Sequence, residues 1–362
     1  MRENDIRVLH TEWSDGWGGQ EIRIIDEMKA LRNQGIRVYL ACRQHASIKK
    51  KAEENNIKVF VLPFKGNADI VTLFKLIRII KTNSIDIVNT HSGKDTWVGG
   101  LSAKLARVKF IRTRHLSNPV KSSRLNFINE LADYIFTTGE SVKSNMINNN
   151  RINPEKIKSI PTGVDSNLFD PAKFNVQECK KLFRINSDDI AIGIVGVLRK
   201  IKRHDLFLKM AKDIIKRFPN KNFIFLIAGA GPQKENIISL IDELSINDNV
   251  RLIGHVNQVQ ELFAALDIVI LSSDLEGVPQ SVMQALLMNK DVVSTNSGST
   301  ADLFHKNNFQ LVETNSVEAL SSGVMHFLEK EQEFHSRDYV ELNFSLEVMS
   351  RKIISVYKEL LS

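Results

Sequence analysis

Apolar residues recur along this chain in two rhythms. Short, mostly apolar runs, among them Ile6-Arg7-Val8-Leu9, Val59-Phe60-Val61-Leu62, Ile85-Asp86-Ile87-Val88 and Ile268-Val269-Ile270-Leu271, read as strands buried in a parallel sheet. Between them the spacing turns helical. Ile22, Ile25, Met28, Ala30 and Leu31 form one such face, and Ile70 to Lys81, Asp95 to Ala106 and Leu206 to Phe218 form others. Strand and helix alternate twice over. A first series runs from Ile6 to Ile160 and a second opens at Ile190-Ala191-Ile192-Gly193-Ile194-Val195. Alternation of this kind predicts an α/β fold with two doubly wound sheets, and a last amphipathic helix spans Leu346 to Leu361.

The sharpest corner follows Leu271. Ser272-Ser273-Asp274-Leu275-Glu276-Gly277 reads as a loop, Pro279 as the first position of a helix, and Ser281 to Leu287 as its body. Such a corner falls at the carboxyl edge of the strands, where ligands bind, and the uncapped amides of the helix start favour an anion.

Composition adds limits. At 362 residues the chain is long for one core and sufficient for two. Two distant cysteines, Cys42 and Cys179, offer neither a disulfide framework nor a metal cluster. No export signal and no run long enough to span a membrane is visible, so a soluble or membrane-surface protein is expected. The net charge of +7 is uneven: residues 1–165 carry +10 and the remainder −3. A basic front half suits an anionic partner. Nucleic acid lacks any supporting motif, whereas an anionic membrane surface fits, as does a basic half with no partner at all. The helix Ile70–Lys81 sets Lys75, Arg78 and Lys81 beside Phe74, Ile77 and Ile80, and Lys121 to Phe127 mixes basic and apolar residues again. Both suit an anionic interface, although a packed helix with a solvated basic edge is the more ordinary reading.

Candidate chemistry gathers at strand ends. Gly18 and Gly19 precede a helix and allow a phosphate to approach the backbone, although a plain tight turn explains them as well. The Rossmann G-x-G-x-x-G fingerprint is absent, which argues against a nicotinamide enzyme. His91 and His115 end equivalent strands, and each is either structural or part of a site. Arg199-Lys200-Ile201-Lys202-Arg203-His204 crowds cations at a strand-to-helix corner: an anion site, or a solvated basic loop.

Taken in order, these features resemble the retaining, nucleotide-sugar-dependent glycosyltransferases of family 4. Gly18, Gly19 and Glu21 match the G-G-x-E loop of that family. Pro161-Thr162-Gly163-Val164-Asp165 through Phe169 and Pro171 is similar to its N-G-V-D-x-x-x-F-x-P signature, with Thr162 for Asn. Gly229 opens a G-x-G-P turn, Glu276 takes the first place of an E-x7-E motif, and Gly298 to Asp302 resembles the G-G-x-x-E turn. Two departures stand out: Gln284 replaces the second Glu, and Val197 stands where the family has an Arg, with Arg199 its substitute.

The resemblance implies a GT-B fold, two Rossmann-like domains facing a central cleft. It puts an acceptor-binding domain at 1–163, joined by the helix 346–362, and a donor-binding domain at 164–345. It also implies retaining, metal-independent transfer of a sugar from a UDP- or GDP-linked donor to a hydroxyl of a glycan or lipid-linked acceptor. The donor is substrate and no cofactor or metal is expected; no Asp-x-Asp motif is present. His115, Glu276, Arg199 and Lys202 take the catalytic places, and Gly18, Gly19, Gly229, Gly277, Val278, Pro279, Gln280 and Gln284 the donor-binding ones. Cations and amides aimed at the leaving diphosphate lower the barrier. Gln284 still accepts from a ribose hydroxyl, without charge. The setting this suggests is surface polysaccharide, lipopolysaccharide or O-antigen synthesis by a cytoplasmic protein on the inner membrane face. A non-catalytic sugar-nucleotide-binding module, an epimerase and a phosphorylase on a similar fold are the alternatives.

Overall fold

The structure, a computed structural model, describes residues 5–115, 127–304, 308–329 and 336–362. The chain divides into two compact units, Met1–Gly163 with Leu346–Ser362, and Val164–Ser345.

In the first unit the chain runs β1 (Arg7–Glu12), α1 (Gly19–Asn33), β2 (Arg37–Cys42), α2 (Ser47–Glu54), β3 (Lys58–Val61), α3 (Ile70–Thr82), β4 (Ile87–Thr90), α4 (Gly93–Ala106), β5 (Lys109–Arg114), β6 (Tyr134–Thr137), α5 (Glu140–Asn150) and β7 (Ile157–Ser159). The strands pair in parallel in the order β3-β2-β1-β4-β5-β6-β7. The order reverses between β1 and β4, which opens a crevice at their carboxyl ends. One face of the sheet is covered by Ile24, Met28 and Leu31 of α1, Ile48 of α2 and the C-terminal helix; the other by Leu76 and Ile80 of α3, Val98 of α4 and Met146 of α5.

The second unit runs α6 (Val176–Leu182), β8 (Ile190–Val195), α7 (His204–Arg217), β9 (Phe223–Ala228), α8 (Lys234–Leu244), β10 (Val250–Gly254), α9 (Val259–Ala265), β11 (Ile268–Leu271), α10 (Gln280–Leu287), β12 (Asp291–Thr295), β13 (Phe309–Val312), α11 (Val317–Leu328) and α12 (Arg337–Phe344). Its parallel sheet has the order β10-β9-β8-β11-β12-β13, reversing between β8 and β11. Helices α7, α8 and α11 fill one face through Phe207, Ile241 and Val324, and α9 and α10 the other through Phe263 and Val282. β9 is buried along its whole length, which accounts for its unbroken run Phe223-Ile224-Phe225-Leu226-Ile227.

The last helix, α13 (Leu346–Leu361), packs Met349, Ile353 and Tyr357 into the core of the first unit. Val164 and Ser345, the residues at the two chain crossings, pair as a parallel bridge, and the Val164 amide donates to the Phe344 carbonyl at 2.9 Å. Thr162, the departure within the signature segment, is bound by the Arg23 guanidinium, which also holds the Ile160 carbonyl at 2.9 Å.

Candidate active site

The corner after β11 is held by contacts from several loops of the second unit. Glu276 and Lys202, on loops from different strands, meet at 2.6 Å between Oε1 and Nζ. Three contacts fix the loops that carry them. The Asp274 amide donates to the Ile201 carbonyl at 2.9 Å, and the Ser272 hydroxyl donates to the Lys202 and Arg203 carbonyls at 2.9 and 3.0 Å. Gly298, at φ +60°, lies so close under the Glu276 carbonyl that a Cβ there would stand 1.7 Å from its oxygen. Gly229, at φ +142°, presses on the Gly196 carbonyl in the same way, with a Cβ placed at 1.9 Å. Gly196 in turn underlies the Lys202 side chain. Sequence signals that look unrelated, the G-x-G-P turn and the late glycine turn, thus brace the loops bearing Lys202 and Glu276.

The cations of this tip differ in their surroundings. Arg203 is committed to Asp205 through two bonds of 2.9 Å and to Asp274 and Asn315 at 3.0 and 2.8 Å, and the Asp205 bonds hold it more firmly charged. His204 is buried and its burial lowers its pKa to about 4, so it is neutral at physiological pH. Arg199 and Lys200 are exposed. The reason is local: Arg203 adopts a left-handed turn, φ +50°, into α7, and that turn points it at the acids of neighbouring loops.

Pro279 is the residue before α10 rather than its first position. Its φ of −74° suits a helix but its ψ of 120° does not, and its carbonyl accepts from the Met283 amide at 3.3 Å. No side chain caps this helix start, so its first amides remain available to an anion. Val278 is buried in the core, which leaves only its backbone to serve a ligand. Gln280 and Gln284, one turn apart and half-buried, lie on one helix face. The buried hydroxyls of Ser273 and Ser297 have no hydrogen-bond partner among the described residues, and nothing in the sequence singled them out.

In the first unit the Glu21 carboxylate accepts from the Gly18 amide at 2.9 Å and caps its own helix, while a Cβ at Gly19 would meet open space. His115 is not isolated. His91 Nδ1 lies 2.9 Å from His115 Nε2, and His91 Nε2 lies 2.9 Å from His10 Nδ1. Burial is the main cause that keeps all three neutral: it lowers His10 to about 3 and carries His91 and His115 well below the usual value. Beside them Asp95 accepts from Thr11 Oγ1 at 2.5 Å and from the His91 and Ser92 amides at 3.1 and 2.8 Å. Glu12 takes bonds from the Ser14 amide and Gln20 at 2.7 and 2.6 Å, and burial, with the Asp95 charge, raises its pKa to about 8. His10, Glu12 and Asp95 are functional candidates the sequence pattern did not single out; the available signals were polar residues at the end of β1 and, for Asp95, a Ser92-x-x-Asp95 capping box at the start of α4.

On the outward side of α3, Ile70, Val71 and Phe74 are exposed, at 66, 57 and 66%, and so are Lys75, Arg78 and Lys81. Ile80, expected on this interface, faces the core instead, since the helical period turns it onto the same side as Leu76. The basic–apolar segment Lys121–Phe127 lies outside the described residues save for Phe127, which is exposed and packs edge-on to Trp97 at 5.2 Å. No described helix is long and apolar enough to cross a membrane, and among the described residues no group of three or more His, Cys, Asp or Glu is placed to hold a metal ion.

Residues 17–168 match the family model described as Glycosyltransferase Family 4, and residues 175–341 that described as Glycosyl transferases group 1. The chain is 23% identical over 338 residues to the UDP-Gal:alpha-D-GlcNAc-diphosphoundecaprenol alpha-1,3-galactosyltransferase of Escherichia coli, covering 88% of this chain and 87% of that protein. A glycosyltransferase from Rickettsia africae superposes with a TM-score of 0.88 at 22% identity, covering 99% of each chain. Anabaena HepE in complex with UDP and glucose superposes with a TM-score of 0.83 at 18% identity, over 98% of this chain and all of the other.

Proposed function

Because the chain belongs to the family 4 and group 1 glycosyltransferases of GT-B fold, we propose that it moves a sugar from a UDP-linked donor to a hydroxyl of a lipid-linked glycan, with retention and without metal. The observation that carries this is the Lys202–Glu276 pair, held by two glycine contacts and three cross-loop hydrogen bonds at the strand-order reversal of the second unit. A cation fixed there offsets the charge that grows on a leaving diphosphate, joined by Arg199 and the free amides of α10. Glu276 then accepts from donor-sugar hydroxyls. The Lys202 ammonium, 2.6 Å away, holds that carboxylate in one orientation. Gln284 receives the ribose through its amide oxygen, and the unpartnered Ser273 and Ser297 hydroxyls supply further hydrogen bonds to the donor. Gly18, Gly19 and His115 are the first unit's candidates for a part in the reaction.

UDP as the nucleotide is supported by the ligands of HepE and by the donor in the name of the E. coli relative. A polyprenyl-diphosphate-linked sugar as acceptor is supported by the same relative and by the exposed apolar–basic side of α3, which suits an anionic membrane surface reached from the cytoplasm.

Incubation with UDP-galactose, UDP-glucose and UDP-N-acetylglucosamine, each with a polyprenyl-diphosphate sugar and EDTA, tests the proposal. One donor should give a product with the donor's anomeric configuration, and Lys202→Ala and Glu276→Ala should lower the rate by a factor of roughly 100 or more. An inverted product, or wild-type turnover in both variants, would refute it.

A further inference from the structure

Three histidines end strands that adjoin in the first sheet: His10 lies near the end of β1, His91 follows β4 and His115 follows β5. The two nitrogen–nitrogen contacts of 2.9 Å join them in one line, with ring centroids 5.2 and 5.1 Å apart. A hydrogen bond between imidazoles needs one proton, and each neutral ring has one N–H and one lone pair. His91 therefore donates on one side and accepts on the other, and the three tautomers are locked together. Only two arrangements satisfy both bonds. In the first, His10 donates from Nδ1 to His91, His91 donates from Nδ1 to His115 Nε2, and His115 keeps its proton on Nδ1. In the second, every proton sits on Nε2, and the bonds run the other way.

The far end of the line separates the two. His10 is fully buried, and among the described residues its Nε2 has no hydrogen-bond partner. The second arrangement would put an N–H there with nothing to receive it, and buried orphan N–H groups are rarely found. The first leaves only a lone pair. A third possibility, an extra proton on the line, is opposed by burial of all three rings and by the charges of Arg23 and Arg112 beside His91 and His115.

We propose that His91 and His10 are positioning residues that fix the tautomer of His115, so that its remaining nitrogen, Nδ1, offers a hydrogen bond and cannot take a proton. His115 then acts as a neutral donor toward an oxygen of the reacting groups rather than as the base for the acceptor hydroxyl. This rests on the placing of His115 at the reaction. The line relays no net proton, because its inner end is closed.

The test is nitrogen-15 NMR of histidine-labelled protein at neutral pH, with His115 assigned by loss of its signals in His115→Gln. Wild type should show His115 protonated at Nδ1 and bare at Nε2. His91→Phe cuts the line and should return His115 to the Nε2–H form that a free imidazole side chain prefers. His91→Gln, whose amide both donates and accepts, should keep the wild-type tautomer, and thermal melting checks that both variants fold. Transfer should follow the spectra: kcat lower by roughly tenfold or more in His91→Phe with donor KM little changed, and restored in His91→Gln. His115 protonated at Nε2 in wild type, or the same tautomer in wild type and His91→Phe, would overturn the proposal. The expected spectra with wild-type transfer in His91→Phe and in His115→Gln would leave the tautomer lock standing and remove His115 from the reaction instead.

Discussion

His204 opens α7 beside Lys202 with both ring nitrogens buried and, among the described residues, without hydrogen-bond partners. An unfolded histidine takes a proton below pH ~6.5, while the folded ring resists until about 4, so folding becomes less favourable as pH falls through that window. Replacing it with phenylalanine removes the titration and loses no hydrogen bond. His204→Phe should therefore match wild type in denaturant melts near neutrality and be the more stable protein at pH ~5, with the difference growing by about 1.4 kcal/mol per pH unit. Parallel pH dependences would show that His204 is charged in the fold. At this scale the sequence was partly legible. Lys202, Glu276 and His115 could each be picked out by type and place, but their partners could not: a pair 74 residues apart, or a line of three histidines from three strands, is set by packing and not by local pattern. Arg203 looked like the other cations of its loop, and only the fold gives it three acceptor residues.

Elements were read more easily, because burial on both faces of a parallel sheet writes itself as apolar runs, and helix faces as a period near four. The α13 boundaries, Leu346–Leu361, agree with the pattern, and α3 extends one residue beyond it, to Thr82. Where ends shifted, a turn decided: Pro279 stays outside α10, and Arg203 starts α7 two residues early. Such turns depend on which loops press on one another, and that is tertiary information. Gly298 is the clearest case. A methyl group there would strike the Glu276 carbonyl and would also have to hold φ at +60°. Gly298→Ala should cost about 1–3 kcal/mol of stability and lower transfer by a factor of roughly ten or more, through displacement of the Glu276 loop. Unaltered activity in that variant would mean the loop does not need this brace.

For the whole molecule, strand order, helix placement and two matched family domains agree on a GT-B glycosyltransferase. The uneven charge visible in the sequence finds a place on α3, where Lys75, Arg78 and Lys81 adjoin the exposed Val71 and Phe74. Each surface cation is worth about 1 kcal/mol near an anionic leaflet. Cosedimentation with phosphatidylglycerol vesicles should thus exceed that with phosphatidylcholine and weaken with salt, and it should fall sharply in a Lys75→Glu, Arg78→Glu, Lys81→Glu protein. Equal binding to both vesicle types would remove the membrane from the account. The central claim is narrower: the corner built by Lys202 and Glu276 holds a nucleotide sugar through its diphosphate. Calorimetric titration with UDP in EDTA, on wild type and on Lys202→Ala, tests it most directly. Metal-free binding by wild type, weakened by roughly tenfold or more in the variant, is the predicted result. Equal binding by the two proteins, or none by wild type, would contradict it.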